Sequence, residues 1–165
     1  MTLKKKQLKA LKLNKKLKSY LNFLDESIEI LKKLREKYQI IYTLPIKTDY
    51  LSDTFEEKID FDSIAYRFSK IQSTLGEKVF KETLEEIGYN TQDKNFLEIL
   101  NLLVKNNILD DEDIKKWKNL RKIRNELNHT YPDEKEEIVD AINEIFETID
   151  FFEKIVTNIK RLLSS

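Results

Sequence analysis

The sequence predicts an all-α fold: an up-and-down bundle of four to five helices, built as one domain over residues 1–165. Only two glycines and two prolines occur in the chain, which leaves little turn chemistry for β-hairpins. Hydrophobic residues make up 40% and charged residues 36%, enough for a core beneath solvated helix faces. Apolar residues also recur at steps of three and four, the spacing of a buried helix stripe.

The first predicted helix is long and basic at its N-terminus. Its apolar stripe consists of Leu17, Leu21, Leu24, Ile28, Leu31, Leu34 and Tyr38. A helix over residues 3–38 would exceed about 50 Å, so residues 1–24 are interpreted as a basic helical extension, with eight lysines and no acidic residue. A hypothetical RNA-binding arm is formed by Lys4, Lys5, Lys6, Lys9 and Lys12. The alternative is an ordinary solvated helix face.

Residues 39–60 break this periodicity and are predicted to form a long connection. Pro45 and the β-branched and aromatic residues around Ile41 favour extended backbone. Loops of this length are usually functional or packed on the domain. The residues expected to pack against the bundle are Tyr42, Leu44, Tyr50, Leu51 and Phe55.

Four further helical segments follow. A helix capped by Asp62 is predicted to run to Ile87, with Gly76 inside its pattern and Gly88 at its C-terminus. A short helix is predicted near residues 93–106. The next begins at the acidic stretch "LDDEDI" and stops before Pro132. Asp133 is expected to cap the last helix, which carries a long apolar face.

Composition excludes several kinds of site. The chain has no cysteine and one histidine, which removes disulfides, thiolate zinc sites and histidine-rich metal sites. The sequence contains no glycine-rich phosphate loop and no Ser-His-Asp set. Neither a metal nor a cofactor is therefore expected. No stretch approaches the ~18 apolar residues of a membrane-spanning helix, so a cytoplasmic protein without membrane contact is expected.

The stretch "RKIRNELNHTYP", residues 121–132, holds the single histidine. Arg124 shares a helical line with Trp117 and Leu127, and a half-buried guanidinium is costly unless an anion accompanies it. His129 lies five residues later, roughly 140° around an ideal helix. The two side chains can converge where the helix ends, or across a two-fold axis. The alternative is structural, because arginine and histidine both favour helix C-termini.

Such a pair fits metal-free RNA cleavage. A histidine side chain can take a proton from a 2′-hydroxyl or give one to the leaving oxygen near neutral pH. An arginine can stabilise the charge that grows on the phosphorane through bidentate hydrogen bonds. Asn125, four residues before His129, can help to orient the phosphate or the imidazole.

"RNELNHTYP", set between an acid-capped helix and a long apolar-faced one, resembles the R-x-x-x-x-H-x-Y signature of HEPN domains. Within them it is most similar to HepT-like toxins, and the resemblance covers about residues 60–160. It implies a homodimeric ribonuclease toxin whose shared cleft contains Arg124, Asn125 and His129. It also implies an antitoxin partner, a minimal nucleotidyltransferase (MNT) that transfers AMP to Tyr131. The basic N-terminus departs from the family.

Two other functions stay open. One is a non-catalytic helical partner or substrate-binding subunit of a nucleotidyltransferase. The other is a nucleic-acid-binding module that relies on the N-terminal lysines. Loss of RNA cleavage in a His129→Ala variant would distinguish the ribonuclease from both.

Overall fold

Five helices make up most of the computed structural model, which describes residues 14–131 and 133–165. They are α1 (Lys15–Ile41), α2 (Phe55–Thr74, continued by a π-helical turn, Leu75–Val79, and by Phe80–Glu86), α3 (Phe96–Lys105), α4 (Asp111–His129) and α5 (Lys135–Ser164). The described residues contain no β-strand. The predicted all-α fold is confirmed.

Helix α1 begins later than predicted. Asn14 caps it, with its side chain accepting a hydrogen bond from the backbone N–H of Leu17 at 3.0 Å. A continuous helix over residues 3–38 is therefore wrong, because Asn14 has non-helical backbone angles. Residues 15–24 are also not an extension, since Leu17, Leu21 and Leu24 are fully buried in the core. The predicted RNA-binding lysines between residues 4 and 12 lie outside the described residues.

Helices α1 and α2 form an antiparallel pair. Near the end of α1, Lys37 bonds Glu56, close to the start of α2, at 2.7 Å. At the opposite end, the side chain of Asn14 reaches Glu86 at 3.4 Å. These contacts at both ends fix the register of the two helices along their whole length.

Helix α5 runs antiparallel to both α1 and α4. Arg35 in the second half of α1 bonds Asp150 at 3.2 Å, while Lys154 in α5 reaches Asp113 at the start of α4 at 2.8 Å. Helices α2 and α5 also touch each other, with the rings of Phe68 and Phe152 5.8 Å apart. The parallel pair α2 and α5 therefore forms the centre, flanked by α1 and α4.

The connection between α1 and α2 spans residues 42–54, shorter than the predicted 39–60. Ile46 anchors it: its side chain is buried, and Asn143 of α5 accepts from its backbone N–H at 2.7 Å and donates to its carbonyl at 2.9 Å. Tyr42, Leu44 and Leu51 pack against the core as expected. Tyr50 and Phe55 do not, because they are 71% and 80% exposed.

Helix α2 begins at Phe55, so the predicted cap at Asp62 is wrong. Thr54 is the N-cap, and its hydroxyl accepts from the backbone N–H of Glu57 at 3.2 Å. The interruption expected at Gly76 appears as the π-helical turn. Gly88 follows the helix with a φ of +104°, the left-handed conformation that glycine adopts without strain.

The last two helices have the predicted extent. Asp110 and Asp113 form a capping box at the start of α4. Helix α5 begins after Glu134 without a side-chain cap, so Asp133 does not have the expected capping role. None of the helices within residues 14–131 and 133–165 combines the length and apolar character needed to cross a membrane.

Candidate functional site

Helix α4 carries the candidate site and is fixed at its N-terminus. The backbone N–H of Asp113 holds the pKa of Asp110 below its usual range, and the neighbouring Lys154 acts in the same direction. Trp117, Leu120 and Ile123 are buried along the inner face. This anchoring sets the rotation of the helix, and with it the direction of the signature residues at its C-terminal end.

Arg124 lies beside the packed face of α4 and is half-buried, as its spacing predicted. It lines a groove of about 230 Å³ between α2 and α4. Its guanidinium makes no hydrogen bond or ion pair with another described residue. A half-buried cation without a partner is a group that an anionic ligand would stabilise.

The other signature residues are more exposed. Asn125 and His129 are exposed, and Tyr131 is 70% exposed. His129 is the last residue of α4, and Thr130 after it has extended backbone. The carbonyl of Tyr131 accepts from the backbone N–H of Glu134 at 2.9 Å, which ties the turn into α5.

Among the residues that the structure describes, the groove lined by Arg124 does not include His129. Helix α4 is regular through His129, so the two side chains leave it roughly 140° apart. That groove is lined by residues of α2 and α4, by Lys94 in the segment before α3, and by Phe96 at the start of α3. Helix α4 does end at His129, as predicted, but this end alone does not bring His129 to the groove beside Arg124. Convergence across a two-fold axis stays a prediction.

The groove also contains residues that the sequence did not single out. Lys81, Lys94 and Arg121 join Arg124 there, against a single acidic side chain, Glu77. None of the four basic groups forms an ion pair with a described residue. The signal that could have found them is the pairing of α2 with α4, which a periodic pattern in one sequence does not reveal.

A larger groove, about 630 Å³, lies between α4 and α5 on the other side of α4. Its charges are mixed, with Lys115 and Lys116 facing Glu144 and Glu147. Burial raises the pKa of Glu144, and the nearby Glu126 raises it further. The basic and acidic side chains of this groove balance, so it has no net positive charge to attract an anion. The groove beside Arg124 is therefore the better candidate for an anion-binding site.

No group of three or more histidine, aspartate or glutamate side chains suited to a metal ion occurs in the part of the chain that the structure describes. The fold and this site together define an all-helical protein with a basic groove beside a polar helix end. Comparison of the chain with protein-family models, with curated proteins and with solved structures found no match. The HEPN resemblance rests on the signature and its helical context.

Proposed function

We propose that the chain is a metal-independent endoribonuclease of the HEPN type, cytoplasmic and active as a homodimer. One observation carries the proposal: the half-buried, unpartnered guanidinium of Arg124 in a basic groove, at the head of the R-x-x-x-x-H-x-Y signature. His129, at the exposed end of the same helix, provides the second chemical group. Basic residues beside such a pair favour a polyanionic substrate.

The proposed reaction needs only these side chains and RNA. The imidazole of His129 accepts the proton of a 2′-hydroxyl, and the 2′-oxygen attacks the adjacent phosphorus. The bond to the 5′-oxygen breaks, and that oxygen takes the proton from the imidazolium of His129 and leaves as a 5′-hydroxyl. The other product ends in a 2′,3′-cyclic phosphate. Arg124 stabilises the charge on the phosphorane, and Asn125 orients the phosphate or the imidazole.

Two chains are needed because one chain points Arg124 and His129 in different directions. Several large apolar side chains are exposed toward the signature end of the bundle: Ile40, Ile41, Phe55, Ile59 and Tyr131. The ion pair between Asp53 and Lys135 places the start of α2 beside the start of α5, at that same end. Exposed apolar groups gathered in this way favour self-association, which would bring the two α4 ends together.

Regulation by a nucleotidyltransferase antitoxin belongs to the same proposal. The exposed hydroxyl of Tyr131 would attack the α-phosphorus of ATP, forming the P–O bond to tyrosine as pyrophosphate leaves and a base takes the proton. The attached AMP would put a bulky anion near His129 and compete with the RNA phosphate.

The test is cleavage of single-stranded RNA by the purified chain in a metal chelator. We expect cyclic-phosphate products, a loss of rate of at least roughly 100-fold in His129→Ala and Arg124→Ala, and no cleavage of DNA, which lacks the 2′-hydroxyl. Lys122→Ala, which removes an exposed cation of α4 outside the groove, is the matched control and should keep full activity. Cleavage that persists in His129→Ala would mean that the chain is not this kind of nuclease.

The second candidate is a non-catalytic partner or substrate-binding subunit of a nucleotidyltransferase. It is favoured by the groove that Arg124 lines, which does not include His129 among the described residues of one chain. It predicts modification of Tyr131 without any RNA cleavage, and it is supported if RNA remains intact at every protein concentration at which the chain dimerises.

A further inference from the structure

The groove between α2 and α4 extends from Arg124 away from His129, toward the segment that precedes α3. Lys94 lies in that segment, and Arg121 is one helical turn before Arg124 on α4. Lys81 completes the basic lining from the side of α2. A strand whose scissile phosphate lay at Arg124 could therefore continue along three more cations that line the same groove.

An aromatic surface lies among these cations. The guanidinium of Arg121 lies 5.2 Å from the centre of the Phe96 ring, and that ring is 6.4 Å from the ring of Trp117. The groove thus offers two planar groups side by side, a guanidinium and an aromatic ring. Nucleobases stack on both kinds of plane, whichever base is present.

The floor of the groove contains a polar group without a partner. Gln72 is 3% exposed, and its Oε1 forms no hydrogen bond with a described residue. A buried amide oxygen in this condition costs free energy until a donor reaches it. The edge of a base provides such a donor, and a glutamine amide pairs best with adenine, accepting from N6 and donating to N7.

The close approach of two helices shapes this floor. The indole of Trp117 lies against Gly76 in the π-helical turn of α2, where a β-carbon would stand 3.0 Å from Cζ2. π-Helical turns within α-helices are frequent at functional sites. The groove's volume of about 230 Å³ is below the ~300–1,000 Å³ of pockets that enclose whole ligands. It suits one nucleotide of a chain rather than a free cofactor.

We infer that this groove binds one unpaired nucleotide of single-stranded RNA, next to the scissile phosphate, with the base on Arg121 and Phe96 and its edge on Gln72. Lys81 and Lys94 hold the flanking phosphates. The choice of RNA rests on the proposed function, but the binding itself needs neither His129 nor cleavage.

Binding is measured by fluorescence anisotropy with a labelled ten-nucleotide 2′-O-methyl RNA, which cannot be cut, and with the same sequence as a duplex. We expect the single strand to bind at least fivefold more tightly than the duplex. Arg121→Ala should weaken binding roughly tenfold through lost stacking and charge, and Lys94→Ala should reduce the salt slope by about one. Lys118→Ala, an exposed cation of α4 outside the groove, is the control.

Base recognition is tested with oligo(A) and oligo(U). The wild-type chain should prefer oligo(A), and Gln72→Met should remove that preference. Arg121 is exposed and Lys94 is half-buried, and neither belongs to the core, so Arg121→Ala and Lys94→Ala test the groove even if the Gln72 variant fails to fold. Three results would each overturn the inference. In the first, the single strand and the duplex bind with the same affinity, and in the second, Lys118→Ala loses as much affinity as Arg121→Ala. In the third, polyglutamate, an anion without bases, displaces the labelled strand as well as unlabelled RNA does.

The two proposals fail differently. If the uncleavable strand binds as expected but natural RNA is never cut, the nucleotide-binding groove is supported and the ribonuclease proposal is contradicted. If RNA is cut while Arg121→Ala and Lys94→Ala leave both KM and binding unchanged, the ribonuclease proposal is supported and the nucleotide-binding groove is contradicted.

Discussion

At Gly76, the absence of one methyl group lets α4 approach α2. An alanine there would put its β-carbon 3.0 Å from Cζ2 of Trp117, and that indole is held by the ring of Phe80 at 4.9 Å. We expect Gly76→Ala to lower the free energy of unfolding by roughly 1–2 kcal/mol, since overpacking exceeds the gain of up to about 1 kcal/mol in helix propensity. Denaturant unfolding measures this.

The cause can be isolated with a second substitution. Trp117→Phe removes the ring atoms that the new methyl group would meet, so Gly76→Ala should cost less in that background. A double-mutant cycle without coupling, or a Gly76→Ala chain at least as stable as the original, would contradict the packing explanation.

The carboxyl of Glu144 makes stability depend on pH in an unusual direction. Burial, with Glu126 adding to it, raises the folded-state pKa above the ordinary value. Folding therefore favours the protonated form, and stability is lost as the pH rises through the raised pKa. Glu144→Gln, which mimics the protonated form, should raise the Tm at pH 7 by on the order of 1 °C.

That gain should disappear when the pH falls below about 4, where the carboxyl is protonated in the folded and unfolded chains alike. Glu29→Gln, on an exposed position of α1, is the control for the loss of one carboxylate charge. A gain that is the same at pH 3 and pH 7 would exclude titration of Glu144 as its cause.

At the scale of elements, apolar periodicity predicted every long helix, because burial on one face leaves a repeat in the sequence. It failed at the starts of α1 and α2. The first turn of α2 exposes Phe55 and Ile59, so no buried stripe marks it. The capping pattern was nevertheless present: Thr54 accepts from the N–H of Glu57, and the Glu57 carboxylate accepts from the N–H of Asp53 at 3.1 Å.

The sequence predicted that residues 42–54 interrupt the helices, but it did not predict how this connection is held against the bundle. Asn143 bonds both backbone groups of the buried Ile46. We expect Asn143→Ala to lower the free energy of unfolding by about 2–4 kcal/mol, since two buried groups lose their partners, and to speed proteolysis within residues 42–54. Asn158→Ala breaks one bond to a buried residue, the carbonyl of Ile108 at 3.1 Å, and a longer, exposed bond from Arg161 at 3.5 Å. It should cost less and leave proteolysis of the connection unchanged.

At the scale of the whole molecule, the sequence predicted the partial burial of Arg124 but not the residues that surround it. Arg124 is half-buried as its helical spacing required, because that spacing depends on α4 alone. The basic groups around it come from residues 30 and 43 positions away, Lys94 and Lys81, and depend on how α2 packs against α4. The packing of two chains against each other is still harder to predict from one sequence, and the proposed active site depends on that packing.

A shared site makes a quantitative prediction. If Arg124 of one chain works with His129 of the other, Arg124→Ala and His129→Ala chains, each inactive alone, should restore activity when mixed. Half of the dimers would be mixed, and each would hold one intact site of two, so activity should approach about one quarter of the original. Refolding the two variants together at equal concentrations, followed by RNA cleavage in a chelator, measures it. A size tag on one chain would show whether mixed dimers form. In a shared site, every mixed dimer would have one intact Arg124 facing one intact His129. Mixed dimers that stay inactive would therefore show that Arg124 and His129 act in separate sites.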